Sequence, residues 1–331
     1  MELKSPSFFN RLLVAPRPPW ATLVISLGLL SLPLLAISLE HAWEPAIQSG
    51  FWRPLFIPPV VIIYILLVSP PMDRSQAGVL RAMRPLVLVD DAAFDQLIQE
   101  NTRTDSRTEW IAFAIGALLG AWSALSSFGQ FNASVVSIYF LLSMVVLFGI
   151  LAVIIQGSFA DTRLNAALHH QPLLIDIFDT RPFEAVGRQS LLISLVFIGG
   201  ITLSLIFGLS PESIIAWQVW LFYVPILLVP ILLFFANMRD THRVLAEEKK
   251  RILDVAQEVI RSLQRQMSAA IAGAEALSPL AAEYSAMLAY EARLKGIQTW
   301  PYDAPMLRTL FVAVLIPIAQ RLISEIIGIL S

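Results

Sequence analysis

Seven long apolar stretches, separated by charged runs, limit what this chain can fold into more than any other feature. They are Trp20–Leu39, Pro54–Val68, Trp110–Ser127, Val135–Ile155, Ser190–Leu209, Ile214–Phe235 and Met306–Leu330. Most approach the length of about 20 residues that a helix needs to cross a bilayer. The second is the shortest, and we expect Pro58-Pro59 to interrupt it. Hydrophobic residues make up 56% of the sequence and charged residues only 15%, unlike a soluble domain. The sequence predicts an all-α, polytopic membrane protein with about seven transmembrane helices and a helical cytoplasmic base.

The positions of lysine and arginine predict the orientation in the membrane. With the N-terminus inside, all of the 23 Lys and Arg residues except Arg53 and Arg321 fall on the inner side or at the inner ends of spans. The positive-inside rule then gives a cytoplasmic N-terminus and an external C-terminus. We expect the bacterial inner membrane as the location and the lipid bilayer as the surrounding partner.

Three regions follow from this topology. Residues 1–238 form a six-helix scaffold with cytoplasmic loops 69–109 and 156–189, residues 239–298 a cytoplasmic helical hairpin, and residues 299–331 a terminal transmembrane helix. No helix-breaking residue lies between Ile231 and Ala272, so the sixth span should continue as one long helix below the membrane. Its cytoplasmic part carries an amphipathic stripe that consists of Leu245, Ile252, Ala256, Val259, Leu263 and Met267.

Three membrane exits resemble one another. An Asp followed closely by an Arg ends each even-numbered span, at Asp73, Asp161 and Asp240. The first two exits continue into similar segments, RPLVLVDD and QPLLIDIFD. Duplicated hairpins would leave such a repeat, of about 80–90 residues. The alternative, that Asp/Arg pairs simply mark helices leaving the membrane, explains the pattern equally well.

The sequence offers little for catalysis. His169, His170, Asp176 and Asp179 are possible metal ligands. The adjacent histidines point about 100° apart on a helix, however, and Pro172 separates them from the aspartates, so a solvated cluster is favoured over a metal site. The chain has no cysteine and a net charge of −2. We expect no enzyme activity, no metal, no cofactor and no nucleic-acid partner.

The terminal helix carries a stripe that its position in a membrane does not require. The stripe of small or polar residues consists of Thr309, Ala313, Pro317, Gln320, Ser324 and Gly328. These are candidate pore-lining residues. Arg321 and Glu325 lie beside it, four residues apart, a spacing that permits an ion pair. Two interpretations stay open: terminal helices of several subunits line a wet pore, or Arg321 reaches the outer head groups and has no further role.

Two further patterns concern helix packing and bending. Gly116-x3-Gly120 and the Gly199-Gly200 pair predict close helix–helix contacts. Pro225 and Pro230 interrupt the backbone ladder of the sixth span and are candidate hinges. A merely curved helix would explain the same two prolines.

Two motifs near the C-terminus resemble those of uncharacterised bacterial multi-pass membrane proteins. The first follows a span and comprises His242, Arg243, Leu245, Glu247, Glu248 and Lys249. The second opens the last span and comprises Thr299, Trp300, Pro301, Leu307 and Arg308. The resemblance covers about the last 95 residues and implies no function.

In topology alone, the chain resembles the insect odorant and gustatory receptor superfamily of ligand-gated cation channels. The resemblance implies seven spans, an inside N-terminus, a cytoplasmic helical anchor and a pore made by the seventh helices of four subunits. The chain lacks that family's Thr-Tyr and Gln-Phe motif, which only Thr309 and Gln320 echo, so no functional residue is carried over.

The leading hypothesis is therefore an oligomeric ion channel or channel-like receptor, a homo-oligomer that conducts ions or responds to a small ligand, with the seventh helix lining the pore. The rival hypothesis is a non-catalytic membrane scaffold whose cytoplasmic helices dock a partner. A secondary transporter ranks third, because the first six spans carry no Asp, Glu, Lys or Arg in their cores.

Overall fold

The computed structural model is a bundle of α-helices. It describes residues 17–102, 106–127, 134–179, 181–208, 217–272, 278–300 and 305–316, with Phe9, Leu12 and Ala319. The helices are α1 Pro19–Leu39, α2 Trp43–Gln48, α3 Trp52–Leu55, α4 Ile57–Met83, α5 Asp91–Thr102, α6 Ser106–Ser127, α7 Val135–His169, α8 Arg181–Gly208, α9 Trp217–Ala272, α10 Ser278–Gly296 and α11 Pro305–Ile316. A 3₁₀ turn, Arg84–Leu86, follows α4.

Among the residues that the structure describes, five segments are long and apolar enough to cross a membrane. They are Pro19–Leu39, Trp52–Leu86, Asp91–Ser126, Val135–His169 and Arg181–Gly208. These long apolar helices fit an integral membrane protein. The sixth predicted span starts among residues 209–216 and most of the seventh follows residue 316, both outside the described residues, so the count of seven stays a prediction.

The start of α4 corrects one expectation. Pro58 and Pro59 lie in the first turn of a helix that begins at Ile57. The first-turn N–H groups of a helix have no intrahelical partner, so proline costs nothing there and its fixed φ favours the helix. The two prolines therefore begin this span instead of interrupting it. The helix then continues beyond Val68 and ends only at Met83.

Several helices are longer than a membrane is thick. α7 has 35 residues and α9 has 56, which at 1.5 Å per residue gives lengths of about 52 and 84 Å. The hydrocarbon core of a bilayer is about 30 Å thick. Both helices are therefore longer than a straight crossing of the bilayer requires. The prediction that one helix continues unbroken from Ile231 to Ala272 is confirmed.

Two apolar cores hold the bundle together. The first joins α1 to α4 with α6 and α7, and its centre includes Ile37, Leu55, Ile62, Ala124, Phe140 and Leu147. The second joins α4, α5, α7, α8, α9 and α11, and it includes Met83, Phe94, Leu164, Phe183, Phe234 and Leu310. The second core lies toward the end of the bundle from which the α9 extension projects. It is there that the start of the terminal helix docks.

The close approach of α6 and α7 confirms the packing predicted from the glycine spacing. A Cβ on Gly116 would collide with the carbonyl oxygen of Phe148, and one on Gly120 with that of Met144. Only a residue without a side chain lets the two backbones come this near. At the N-terminus of α7, the Ser134 hydroxyl accepts from the Ser137 N–H at 3.1 Å, which caps the helix.

The segments that follow α4 and α7 pair with each other. The Leu174 N–H donates to the Leu86 carbonyl at 2.8 Å, and the Leu88 N–H donates to the Pro172 carbonyl at 2.9 Å. Around this isolated antiparallel bridge, the two similar segments RPLV and QPLL face each other in a locally two-fold manner. Duplicated hairpins would produce such a pairing, and the repeat itself stays a hypothesis.

The extension of α9 packs against α10. Ala256 and Leu294 are fully buried between them, together with Ile177 from the segment before α8. The prediction of a buried stripe is wrong for one member, because Val259 is 39% exposed. α10 covers only one face of α9. Ala256 lies on that face, whereas Val259 lies to one side of it.

Candidate functional site

Buried polar side chains concentrate in one section of α7, α8 and α9. Seven of those in the described residues are at most 7% exposed: Asn165, His169, Gln189, Ser190, Ser194, Asn237 and Thr241. Burying a polar group among apolar helices costs free energy unless the group finds a hydrogen-bond partner. Such groups in membrane proteins usually line a functional site.

Two hydrogen bonds mark the ends of the section. At one end, the Ser194 hydroxyl donates to the carbonyl of Pro230 at 2.8 Å, which ties α8 to α9. At the other end, His169 Nε2 lies 3.1 Å from the Thr241 hydroxyl, which ties α7 to α9. The His169 ring also packs beside Phe183 of α8. The section between these contacts therefore spans all three helices.

The His169 ring is held in one tautomer. Its Nδ1 lies 2.6 Å from the carbonyl oxygen of Asn165. A carbonyl only accepts, so Nδ1 carries the proton and donates. In the neutral ring Nε2 then accepts, and the Thr241 hydroxyl is its donor. The histidine thus serves as a cross-link between two helices.

Between the two ends, four buried polar atoms find no hydrogen-bond partner among the described residues. They are Asn165 Nδ2, Gln189 Oε1, Ser190 Oγ and Asn237 Oδ1. Each unsatisfied atom costs about 1–3 kcal/mol. A water molecule or an ion that bridged these groups would remove that cost.

A carboxylate completes the section. Asp161 lies one helical turn before Asn165 on α7, and Gln76 of α4 donates its amide N–H to Asp161 Oδ1 at 2.5 Å. Asp73, one turn before Gln76 on α4, acts on Asp161 as a like charge. Neither carboxylate is ion-paired to any residue that the structure describes. We call Asp161, Asn165, Gln189, Ser190 and Asn237 the polar layer.

The terminal helix is described only at its start. Leu310 is 2% exposed and packs into the second core, whereas Thr309 is exposed and Ala313 half-buried. The Thr309 hydroxyl donates to the Pro305 carbonyl at 2.9 Å. The remaining candidates lie outside the described residues: Pro317, Gln320, Arg321, Ser324, Glu325 and Gly328. The candidate hinges Pro225 and Pro230 both lie within α9, which is continuous across them.

The histidine and aspartate cluster is dispersed. His169 is buried in the network described above, whereas its neighbour His170 is exposed. The Arg181 guanidinium bonds Asp179 at 2.8 Å and lowers the pKa of that carboxyl. Among the described residues, no group of three His, Cys, Asp or Glu side chains is placed to hold a metal.

The two C-terminal motifs contact each other, which their separation in sequence did not indicate. The rings of His242 and Trp300 stack at 3.8 Å between centroids and 3° between planes. Lys249 donates to the carbonyls of Lys295 and Ile297 at 2.9 and 2.7 Å. A lysine here satisfies carbonyls that the end of a helix leaves free. The chain leading into the terminal helix is thus fixed to α9.

The sequence did not predict the polar layer, because its members are mostly uncharged and lie far apart along the chain. A signal was present: Asn165 and His169 are four residues apart on α7, and Asn237 and Thr241 are four apart on α9. That spacing places each pair on one helical face. Neutral polar pairs in apolar helices indicate a buried contact, but not which helices share it.

Comparison with known proteins adds no relative. No protein-family model matches the chain, and no similar curated protein or solved structure was found.

Proposed function

We propose that the chain is a subunit of an oligomeric ion channel or channel-like receptor whose pore is lined by the terminal helix. One observation carries the proposal. Leu310 and Ala313, the second residue of the polar stripe, pack α11 against its own bundle, while Thr309, the first residue of the stripe, is exposed. The edge of the stripe that begins at Thr309 therefore faces away from its own subunit. Identical helices around a central axis would direct their stripes at one another and at water.

The proposal includes an orientation. The N-terminus lies in the cytoplasm, the C-terminus outside, and the location is the bacterial inner membrane. The strong inner bias of Lys and Arg supports this orientation, and the α9 extension with α10 then projects into the cytoplasm. The scaffold would consist of six spans and the pore of the seventh helices.

Planar-bilayer recording of the purified chain tests the channel. We expect Gln320→Leu and Ser324→Leu to reduce unitary conductance several-fold, because each removes a polar group from the pore wall. Leu315→Val serves as the control, since Leu315 is exposed on the side of the helix away from the stripe and should change nothing. Absence of conductance under any ligand, voltage or membrane tension would contradict the proposal.

A scaffold is the second candidate, and a different observation favours it. Val255 and Ile271 on the α9 extension are 58% and 63% exposed, although they lie beyond the bilayer. Exposed apolar side chains on a projecting helix fit the docking of a soluble partner. The scaffold would be supported over the channel by a chain that is monomeric in detergent and co-purifies with a stoichiometric partner bound to residues 240–300. The same chain should conduct no ions in a bilayer.

A further inference from the structure

We propose that the polar layer binds a monovalent alkali cation, held by the carboxylate of Asp161 and by the amide oxygens of Gln189 and Asn237. This site belongs to α4, α7, α8 and α9. It does not include the terminal helix, and the proposal does not rest on the channel function.

The charge of the layer is the first argument. Asp161 can accept about four hydrogen bonds, and its one side-chain donor among the described residues is the amide of Gln76. Asp73 adds a second negative charge nearby. Arg74 and Arg163 follow these aspartates on the same helices, yet both are exposed and outside ion-pair distance. A partly buried carboxylate without a counter-charge costs several kcal/mol, and a cation removes that cost.

The unpaired atoms are the second argument. Three of the four are oxygens: Gln189 Oε1, Ser190 Oγ and Asn237 Oδ1. Gln189 and Asn237 are 2% and 4% exposed, so water from bulk does not solvate them. Amide and hydroxyl oxygens are ligands of hard cations, and rings of neutral oxygens bind alkali cations in channels. The buried atoms that lack a partner are mostly acceptors. They therefore match a cation better than an anion or a hydrogen-bond acceptor.

Register places these oxygens in the same section of the bundle. α8 and α9 run antiparallel between the Ser194–Pro230 bond and the Phe183 end, where His169 meets Thr241. Gln76, Gln189 and Asn237 each lie one turn from Met72, Ile193 and Leu233, which pack in one apolar cluster. Gln76 donates to Asp161, which places the carboxylate in the same section.

The number of charges decides between monovalent and divalent cations. Asp73 is exposed and solvated, which leaves Asp161 as the single carboxylate within the layer. One carboxylate with neutral oxygens balances one positive charge. Ca²⁺ and Mg²⁺ sites commonly use several carboxylates, and the described residues hold no cluster of three acidic, histidine or cysteine side chains for a metal.

Asp161 lies far along α7. It follows Val135 by 26 residues, about 39 Å along the axis, whereas the hydrocarbon core of a bilayer is about 30 Å thick. A crossing that begins at Val135 would therefore end before Asp161, and the nearby Asp73 is exposed. A cation bound there would tie four helices together and stabilise the fold.

Thermal unfolding of the purified full chain in detergent tests the proposal. NaCl, KCl and N-methyl-D-glucamine chloride are compared at equal ionic strength and near neutral pH. Na⁺ or K⁺ should raise Tm by about 3 °C at ten times its dissociation constant. Asp161→Asn and Asn237→Leu should abolish this difference. Asp254→Asn, at an exposed position of α9, should keep it.

Several outcomes would overturn the site. Equal Tm values in all three salts, or an unchanged cation effect on Tm in Asp161→Asn, would do so. A Tm that responds only to Mg²⁺ or Ca²⁺ would also overturn it. So would a Tm that depends on pH but not on Na⁺ or K⁺. If Asp161→Asn fails to fold, equilibrium binding of radioactive sodium to the wild type and to Asn237→Leu decides. Saturable binding to the wild type that Asn237→Leu weakens at least ten-fold supports the site, and equal binding overturns it.

Discussion

At the scale of single residues, Lys249 has an unusual position for a lysine on a projecting helix. Its ammonium group donates to two carbonyls at the end of α10, next to the stacked rings of His242 and Trp300. These contacts join α9 to the chain that leads into the terminal helix. A movement of the α9–α10 hairpin would therefore act on the segment that ends at Trp300.

Replacing this lysine should loosen the connection. Lys249→Met keeps most of the aliphatic stem and removes both hydrogen bonds, at a cost of about 1 kcal/mol. We expect faster amide hydrogen exchange in residues 295–300. Lys250→Met, at an exposed neighbouring position, is the matched control and should leave exchange unchanged. Equal protection in both variants would show that the capping bonds contribute nothing.

Glu291 gives the hairpin a dependence on pH. It accepts a hydrogen bond from Gln257 of α9 at 3.0 Å and pairs with Lys295 at 2.8 Å. Lys295 and then Gln257 lower the pKa of Glu291 below its ordinary value of 4.5. A lowered folded pKa contributes stability that is present above pH 4.5 and is lost as pH falls through the folded pKa.

The α9–α10 contact should therefore weaken in acid. Hydrogen exchange of α10, measured as pH is lowered, should rise below about pH 4.5 once the intrinsic pH dependence is subtracted. Glu291→Gln keeps a hydrogen-bonding side chain and removes the titration, so its exchange should lack this step. A step of the same size in Glu291→Gln would assign it to other carboxylates.

At the scale of elements, the glycines of α6 set how closely it approaches α7. Gly116→Ala places a methyl group against the Phe148 carbonyl, which a backbone cannot avoid without moving the helix. Overpacking of this kind costs about 1–3 kcal/mol. We expect a Tm decrease of several degrees.

Gly157→Ala is the control for that substitution. Gly157 also lies within a helix, but a Cβ there meets nothing within 4 Å. Alanine should be neutral or stabilise the chain by about 0.5–1 kcal/mol, because glycine is a poor helix former. Equal loss of stability in the two variants would contradict close α6–α7 packing as the cause.

The sequence predicted some helices correctly and missed other features of the fold, and the difference has a physical reason. Apolar periodicity and length place the helices, since each must bury its backbone polar groups within itself. That reasoning gave the five described membrane-length helices and the long α9. It misjudged Pro58-Pro59, because the same residue that breaks a helix interior is favoured in the first turn. It left out the bridge between Val87 and Leu173, which depends on contacts about 90 residues apart in sequence.

At the scale of the whole molecule, the absence of cysteine in the sequence makes the orientation easy to test. Gln48→Cys, an exposed position between the first two spans, should react with an impermeant thiol reagent in intact cells. Ala286→Cys, exposed on α10, should react only after permeabilisation. The reverse labelling would place the α9–α10 hairpin outside and overturn the proposed topology.

The sequence by itself determined that this is a helical, membrane-type chain, since hydropathy and charge are local properties that are summed over each segment. It also indicated where helices meet closely, through Gly116 and Gly120. Tertiary structure alone decided that neutral polar groups on α7, α8 and α9 are buried in one section of the bundle, and that Lys249 binds the end of α10. Such contacts depend on how each helix is rotated about its axis and shifted along it relative to its neighbours. Those are fixed by packing in the two cores and by hydrogen bonds between distant residues, which no single segment encodes.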